Sequence, residues 1–378
     1  LRFGEDNKMD YSGDEVAVEV RWAYFDFQLP FVQQDSRLRI GLQPVNVNPF
    51  LWKETVGAVK LAGGVDNLDY QLGWMRGYEV NVTSDDETEL YDDQDAVYAR
   101  LDYSGASPMQ VGVFGLYQWQ NIDDSDPAQD TTFGPRSYLY KSFFGKQLDL
   151  DLTTVGVDGS MTFEPFFVRW DGMYQTGSLD QVTYEDLDGN ALAQDDYDLN
   201  AYFGHLDFGL NLGKTTLTYT FWYTSGDDDP GDGDFDAFLA TDLDRTDSII
   251  LMEGGYGDDN YFTERHYLLD RGFIMNKLAV DYQATEKLKL GLAGMYMMTA
   301  EDVEYTAAKT GEQVSEDTIG VEVDAYIKYQ LFENVELAVN AGYLACDDAM
   351  DYFEVDSIQD GSADEDIFRS DMRIRYKF

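Results

Sequence analysis

Residues 372–378, MRIRYKF, put Met372, Ile374, Tyr376 and Phe378 on one parity and Arg373, Arg375 and Lys377 on the other. Successive strand side chains point to opposite faces, so such a strand has an apolar medium on one side and water on the other. The pattern recurs along the chain. Ile319, Val321, Val323, Ala325, Ile327 and Tyr329 alternate with Gly320, Glu322, Asp324, Tyr326, Lys328 and Gln330, and after Glu333-Asn334 the run Val335, Leu337, Val339, Ala341, Tyr343 resumes the alternation. A second hairpin turns at Gly213-Lys214, with Leu217, Tyr219, Phe221 and Tyr223 opposite Thr216, Thr218, Thr220 and Trp222, and a third turns at 284–286. These runs reach the roughly 9–11 residues that a tilted strand needs to cross hydrocarbon, whereas no run of about 18 apolar residues offers a transmembrane helix.

Charge is distributed in step with this pattern. The net charge of −47 concentrates in 79–95, 180–198, 226–244 and 347–366, which carry acids and no base. Such runs repel themselves and build no core. The chain therefore reads as one domain over 1–378, an all-β transmembrane antiparallel barrel of apolar-patterned walls joined by short periplasmic turns and long acidic outer loops. Strand candidates lie near 1–4, 15–29, 36–43, 57–62, 67–79, 94–103, 108–120, 147–157, 160–175, 196–212, 214–226, 266–283, 287–300, 316–330, 335–348 and 368–378. That is about 16 strands, or about 18 if an N-terminal hairpin precedes Leu1, and barrels of this size leave an aqueous channel. The single cysteine, Cys346, excludes a disulfide framework. A soluble β-sandwich would carry polar outward faces, and no second apolar core is apparent.

LRFGEDNK at 1–8, RWAYFDFQLP at 21–30 and RLRIGLQPV at 37–45 resemble the porins of sulfate-reducing bacteria, within the trimeric porins of Gram-negative outer membranes. The motif residues are Arg21, Ala23, Tyr24, Asp26 and Phe27, a pattern that alginate-export-like barrels share. Phe378 resembles the C-terminal aromatic of outer-membrane proteins. The resemblance implies a homotrimer in the bacterial outer membrane, in contact with its lipid and lipopolysaccharide, that passes ions and small hydrophilic solutes by diffusion. A substrate-specific channel for an oligosaccharide or organic acid, and a structural or adhesive barrel, are the competing functions.

The functional expectations follow from the lumen parity. Arg21, Arg37, Arg39, Arg100, Lys277, Lys289, Lys328, Arg373, Arg375 and Lys377 are expected to line the pore. The porin resemblance implies an inward loop near 80–94, whose Asp85, Asp86, Glu87, Glu89, Asp92 and Asp93 would face those bases across a constriction. The alternative is a solvated outer loop. Asp232, Asp234 and Asp236 alternate in an acidic stretch that either holds Ca²⁺ or forms a hydrated rim; an EF-hand's bidentate Glu is missing. Of the two histidines, His205 and His266, neither has the serine neighbourhood of a hydrolase, so no enzyme is expected. The acidity disfavours nucleic acid as a partner.

Overall fold

The computed structural model describes residues 2–3, 18–19, 22–30, 36–78, 94–105, 108–123, 147–182, 195–229, 231–240, 247–251, 270–353, 360–363 and 365–377. A small pair, β1 (Arg2–Phe3) and β2 (Val18–Glu19), stands apart from the main sheet, where the sequence pattern suggested wall strands. The main sheet contains β3 (Ala23–Gln28), β4 (Arg37–Asn48), β5 (Trp52–Val65), β6 (Leu68–Tyr78), β7 (Gln94–Ser104), β8 (Met109–Asp123), β9 (Gln147–Phe163), β10 (Phe166–Val182), β11 (Asp195–Leu212), β12 (Thr215–Thr224), β13 (Asp234–Phe235), β14 (Phe273–Gln283), β15 (Leu288–Thr306), β16 (Gln313–Phe332), β17 (Val335–Cys346) and β18 (Ile367–Tyr376). Sixteen strands thus share one sheet, fifteen of them antiparallel neighbours in chain order from β3 to β18. The short β13 instead pairs in parallel with β11. The sheet curls, so that the β4–β5 connection touches β11 and β12, and residue 249 reaches β16.

The hairpin expected to turn near 158–159 turns at Glu164-Pro165, and β9 and β10 pair in continuous register from Phe163↔Phe166 to Asp149↔Asp180. Asp158-Gly159 resembles a turn dipeptide in sequence, but the Asp158 carboxylate is held on the inner wall by Arg100. That longer hairpin also accounts for the mixed parity of 160–175.

Leu72, Val97, Val113, Val155, Leu206, Leu278, Leu292, Val323, Ile327 and Met372 face outward and form a continuous exposed apolar band. Aromatics bound the band at both levels. Phe163, Phe166 and Phe208 pack in series near the short turns, with centroids 5.6 and 5.7 Å apart. Toward the long-loop end Tyr117 stacks on Trp119 at 5.4 Å and Tyr174 meets Tyr202 at 5.1 Å. Phe166 and Tyr174 are eight positions apart on β10, about 26 Å along the strand. An apolar band between two aromatic girdles is the outer surface of a transmembrane β-barrel. Trp119, Tyr223 and Tyr376 lie on this outward parity, and Tyr24 pairs with Gly41 on the inner face, under the Arg39 guanidinium.

The inner face contains the second apolar core that the sequence reading did not find. Each inward row is polar near the short turns and changes character part-way up. On β10 Arg169 and Asp171 give way to Met173 and Leu179; on β11 Asp207 and His205 give way to Phe203, Ala201 and Leu199; on β14 Asp281 and Lys277 give way to Met275 and Phe273. The apolar members of these rows are almost fully buried.

The two faces should respond differently to charge. Leu278→Arg, midway along β14 on the outward face, is expected to cost about 2–4 kcal/mol in urea unfolding from lipid vesicles, and the inward Thr218→Arg much less. Equal costs would refute the assignment of faces.

Candidate functional site

The β4–β5 connection is the first device that fills the lumen. The register slips between Asn46 and Asn48, and such a bulge bends its strand. Asn48 Oδ1 accepts the Phe50 N–H at 2.8 Å while Leu51 N–H donates to the Asn48 carbonyl at 3.1 Å, which closes a three-residue turn. The tip lies inside the barrel. Phe50 packs 4.9 Å from Phe203, 4.5 Å from His205 and edge-on to Trp222 at 4.8 Å. Burying such a side chain stabilises the tip by roughly 1.5–3 kcal/mol. Polar bonds fix its other side: Asn48 Nδ2 donates to Asp171 at 2.8 Å and Asp158 at 3.1 Å, and Arg100 donates to the Val47 carbonyl at 2.9 Å.

The chain between β12 and β14 is the second. At its base Gly226 and Gly272 let the two ends cross: Gly272 has φ +71° and a Cβ there would stand 2.6 Å from Gly226 N. Residues 235–240 then run extended with both faces covered. Phe235, Ala237 and Leu239 join Leu150, Leu152, Leu179, Tyr197 and Leu199, while Phe238 and Ala240 join the core around Trp222. Gln175 meets Leu239 as a strand neighbour would, donating to its carbonyl and accepting its N–H, both at 2.8 Å. Further along, the N–H of Ile249 donates to Glu322 and Asp324 at 3.0 and 2.9 Å, and that of Ile250 to Glu322 at 2.9 Å.

Below these two insertions lies a cavity of about 1350 Å³ that extends from Gly64, Ser104 and Ser160 near the short turns up to Val47 and Phe50. Its walls are charged. On the β3–β5 side Asp26 holds Arg37 through Nε at 2.8 Å and Arg39 at 2.7 Å, with Lys60 alongside. On the β7–β11 side Arg100 bridges Asp102 and Asp158, His205 Nδ1 lies 3.0 Å from Asp171, and Asp207 accepts from Thr220 at 2.6 Å and lies 3.6 Å from Arg169.

Of the bases expected to line the pore, Arg37, Arg39 and Arg100 line this cavity. Lys277, Lys289, Lys328, Arg373 and Arg375 stand on inward rows of β14, β15, β16 and β18. Lys289 is 3.3 Å from Asp281, Lys277 3.6 Å from Asp247, and Arg373 3.7 Å from Glu336. Lys377 follows β18, its N–H bonded to the Asn334 carbonyl. Arg21, Asp85, Asp86, Glu87, Glu89, Asp92, Asp93 and His266 lie outside the described residues. Asp232 caps the N–H of Asp234 at 2.9 Å, and Asp236 follows β13. Among the described residues no group of three or more His, Cys, Asp or Glu is arranged to hold a metal ion.

Sequence reasoning missed Asn48, Phe50, Lys60, Asp158 and Asp171. Val45 and Val47, apolar on lumen parity just before Asn48-Pro49, were the available signal for the inserted tip.

No protein-family model matches the chain, and no curated protein matches it significantly. Solved outer-membrane β-barrels are similar in fold. OccAB1 of Acinetobacter baumannii has a TM-score of 0.48 and 12% identity over 90% of this chain and 74% of its own. OccK3 (OpdO) of Pseudomonas aeruginosa has a TM-score of 0.47 and 13% identity over 90% and 75%. A variant of the ferric enterobactin receptor PfeA of Pseudomonas aeruginosa, in complex with enterobactin, has a TM-score of 0.42 and 13% identity over 85% and 43%. The chain thus spans less than half the length of that receptor, and likeness at these levels is one of fold.

Asp227, at the base of the inserted segment, gives a test of its seating. Burial first, then the neighbouring Asp270, pushes its carboxyl up to about 8, against the pull of Arg271. From the ordinary carboxylate range up to about 8 the folded form keeps a proton that the unfolded chain releases. Stability therefore falls as pH rises through that window and levels off above it. Residues 225–272 are expected to become more protease-sensitive between pH 6 and 9, and Asp227→Asn to flatten the profile; an unchanged slope in the variant would exclude Asp227 as its origin.

Proposed function

We propose that this barrel is a selective outer-membrane channel for a small hydrophilic solute, rather than a wide pore for general diffusion. The observation that carries the reading is the seating of the β4–β5 tip across the lumen, where Phe50 packs on Phe203, His205 and Trp222 beside a charged cavity. A general pore of this strand number keeps its middle open to water. Here a solute entering from the short-turn end meets paired Arg and Asp groups and then an apolar closure. Passage requires the tip or the 225–251 segment to move, so transport is coupled to solute binding. Homotrimeric assembly, implied by the porin resemblance, belongs to the same proposal, as does the outer-membrane setting with lipid and lipopolysaccharide around the band.

Single-channel recording in planar bilayers tests it. The wild-type protein should show small or infrequent openings. Asn48→Ala removes the amide shared by Asp158 and Asp171 and loosens the tip by about 1–3 kcal/mol; it should raise open probability or conductance. Closures in threes would support the trimer. Large, solute-insensitive steps in the wild type would return the weight to a general porin, and a folded protein silent in both forms would indicate a structural barrel.

A further inference from the structure

His205 stands where the two fixings of the β4–β5 tip meet. Its side chain is 2% exposed, and its ring packs 4.5 Å from that of Phe50, with Trp222 edge-on at 6.3 Å. Nδ1 lies 3.0 Å from Asp171 Oδ2, and Nε2 lies 3.4 Å from Asp207 Oδ1. The other oxygen of Asp171 accepts the Asn48 amide at 2.8 Å. The apolar side of the tip thus rests on this imidazole directly, through Phe50, and the polar side rests on it through Asp171.

Each ring nitrogen faces a carboxylate. A neutral imidazole carries one proton, so one nitrogen would turn a lone pair toward a carboxylate oxygen where little solvent reaches; an imidazolium donates from both. The cations on the surrounding strands are directed to other groups: Arg100 to Asp102 and Asp158, Arg169 to Asp207 Oδ2, and Lys277, opposite Thr220 in the register, to Asp247. Asp158 is linked to Asp171 by the Asn48 amide, which donates to both. A cation within about 6 Å of an aromatic ring is attracted to its face, so a charge on His205 also holds Phe50.

We propose that His205, protonated on both nitrogens, is the positioning residue that seats the tip, and that loss of one of those protons frees the tip and opens the channel. This rests on the channel reading for its effect on current, whereas the seating itself can be followed without current. The seated tip binds a proton that the released tip gives up, so opening becomes more favourable as pH rises.

Single-channel recording from about pH 5 to 9, a range that spans imidazole titration, tests the inference together with nitrogen NMR of the histidines. The open-to-closed ratio should rise about tenfold over that range, the equivalent of one hydrogen bond to a charged group. The chain has two histidines, so a His266→Gln sample isolates the His205 signal. That signal should show two protonated nitrogens at the acid end and one at the alkaline end. His205→Gln keeps a neutral donor and should hold the ratio at its high-pH value throughout; should that buried variant not fold, the NMR states still decide. In Asp227→Asn, which removes the titration at the base of the second insertion, the rise should persist. A ratio that ignores pH, a rise that survives His205→Gln, or a bare His205 nitrogen at the acid end would overturn the clasp and leave the channel standing. In a barrel that carries no current, a nitroxide on Pro49→Cys in a Cys346→Ser chain reads the tip instead. Greater mobility at high pH would then uphold the clasp and overturn the channel, and unchanged mobility would overturn both.

Discussion

Every side chain on this sheet faces either hydrocarbon or the interior, and the period of two leaves no third choice. Because the outward band has to be apolar over about 25 Å, the wall's charged groups are forced onto the inner rows. There they crowd. Arg100 engages Asp102 and Asp158, Arg37 and Arg39 share Asp26, and Lys289 meets Asp281, each pair formed across or along neighbouring inward rows. Such pairs add little net stability, since desolvation offsets much of the attraction. Their effect is orientation: each guanidinium is held against a neighbouring strand, so its position in the cavity is set by the wall itself.

The switch from polar to apolar on the inner rows determines where chain can enter the lumen. An extended segment with both faces apolar, such as 235–240, has no favourable place in water, and here it lies between the cluster around Leu150, Leu179 and Tyr197 and the core around Trp222. Its backbone groups are met by Gln175, by Asp198 N–H bonding to Gly233, and by Ser225. A buried, unpaired backbone group costs about as much as a buried apolar side chain contributes. The side-chain amide of Gln175 is therefore as important to the insertion as Phe235 or Phe238.

The wall was legible because alternation over ten or more residues repeats fifteen times, and one misplaced turn does not alter it. What lies inside was not legible, for a physical reason. Within the single inward row of β10, Arg169, Asp171, Met173, Gln175 and Leu179 read as an irregular lumen face until neighbouring strands bring Phe203 and Met275 beside its apolar part. Acids dominate the composition of 227–238 and hide its apolar residues. The informative residues were the apolar ones between them, Phe235, Ala237 and Phe238, whose spacing already describes a strand buried on both sides.

The same placement joins the acidic wall to the inserted tip. Asn48 bonds to Asp158 and Asp171, two of the acids that give the cavity its negative side, and Phe50 rests on His205, which bonds to Asp171. Any cation or ammonium that draws on those carboxylates competes directly with the amide that holds the tip. Arg37 and Lys60, by contrast, make none of the bonds that seat the tip. A ligand shifts a closed state only by its differential affinity for the open one. In this barrel the Asn48 amide seats the tip on Asp158 and Asp171, so loosening the tip means giving those two carboxylates another partner.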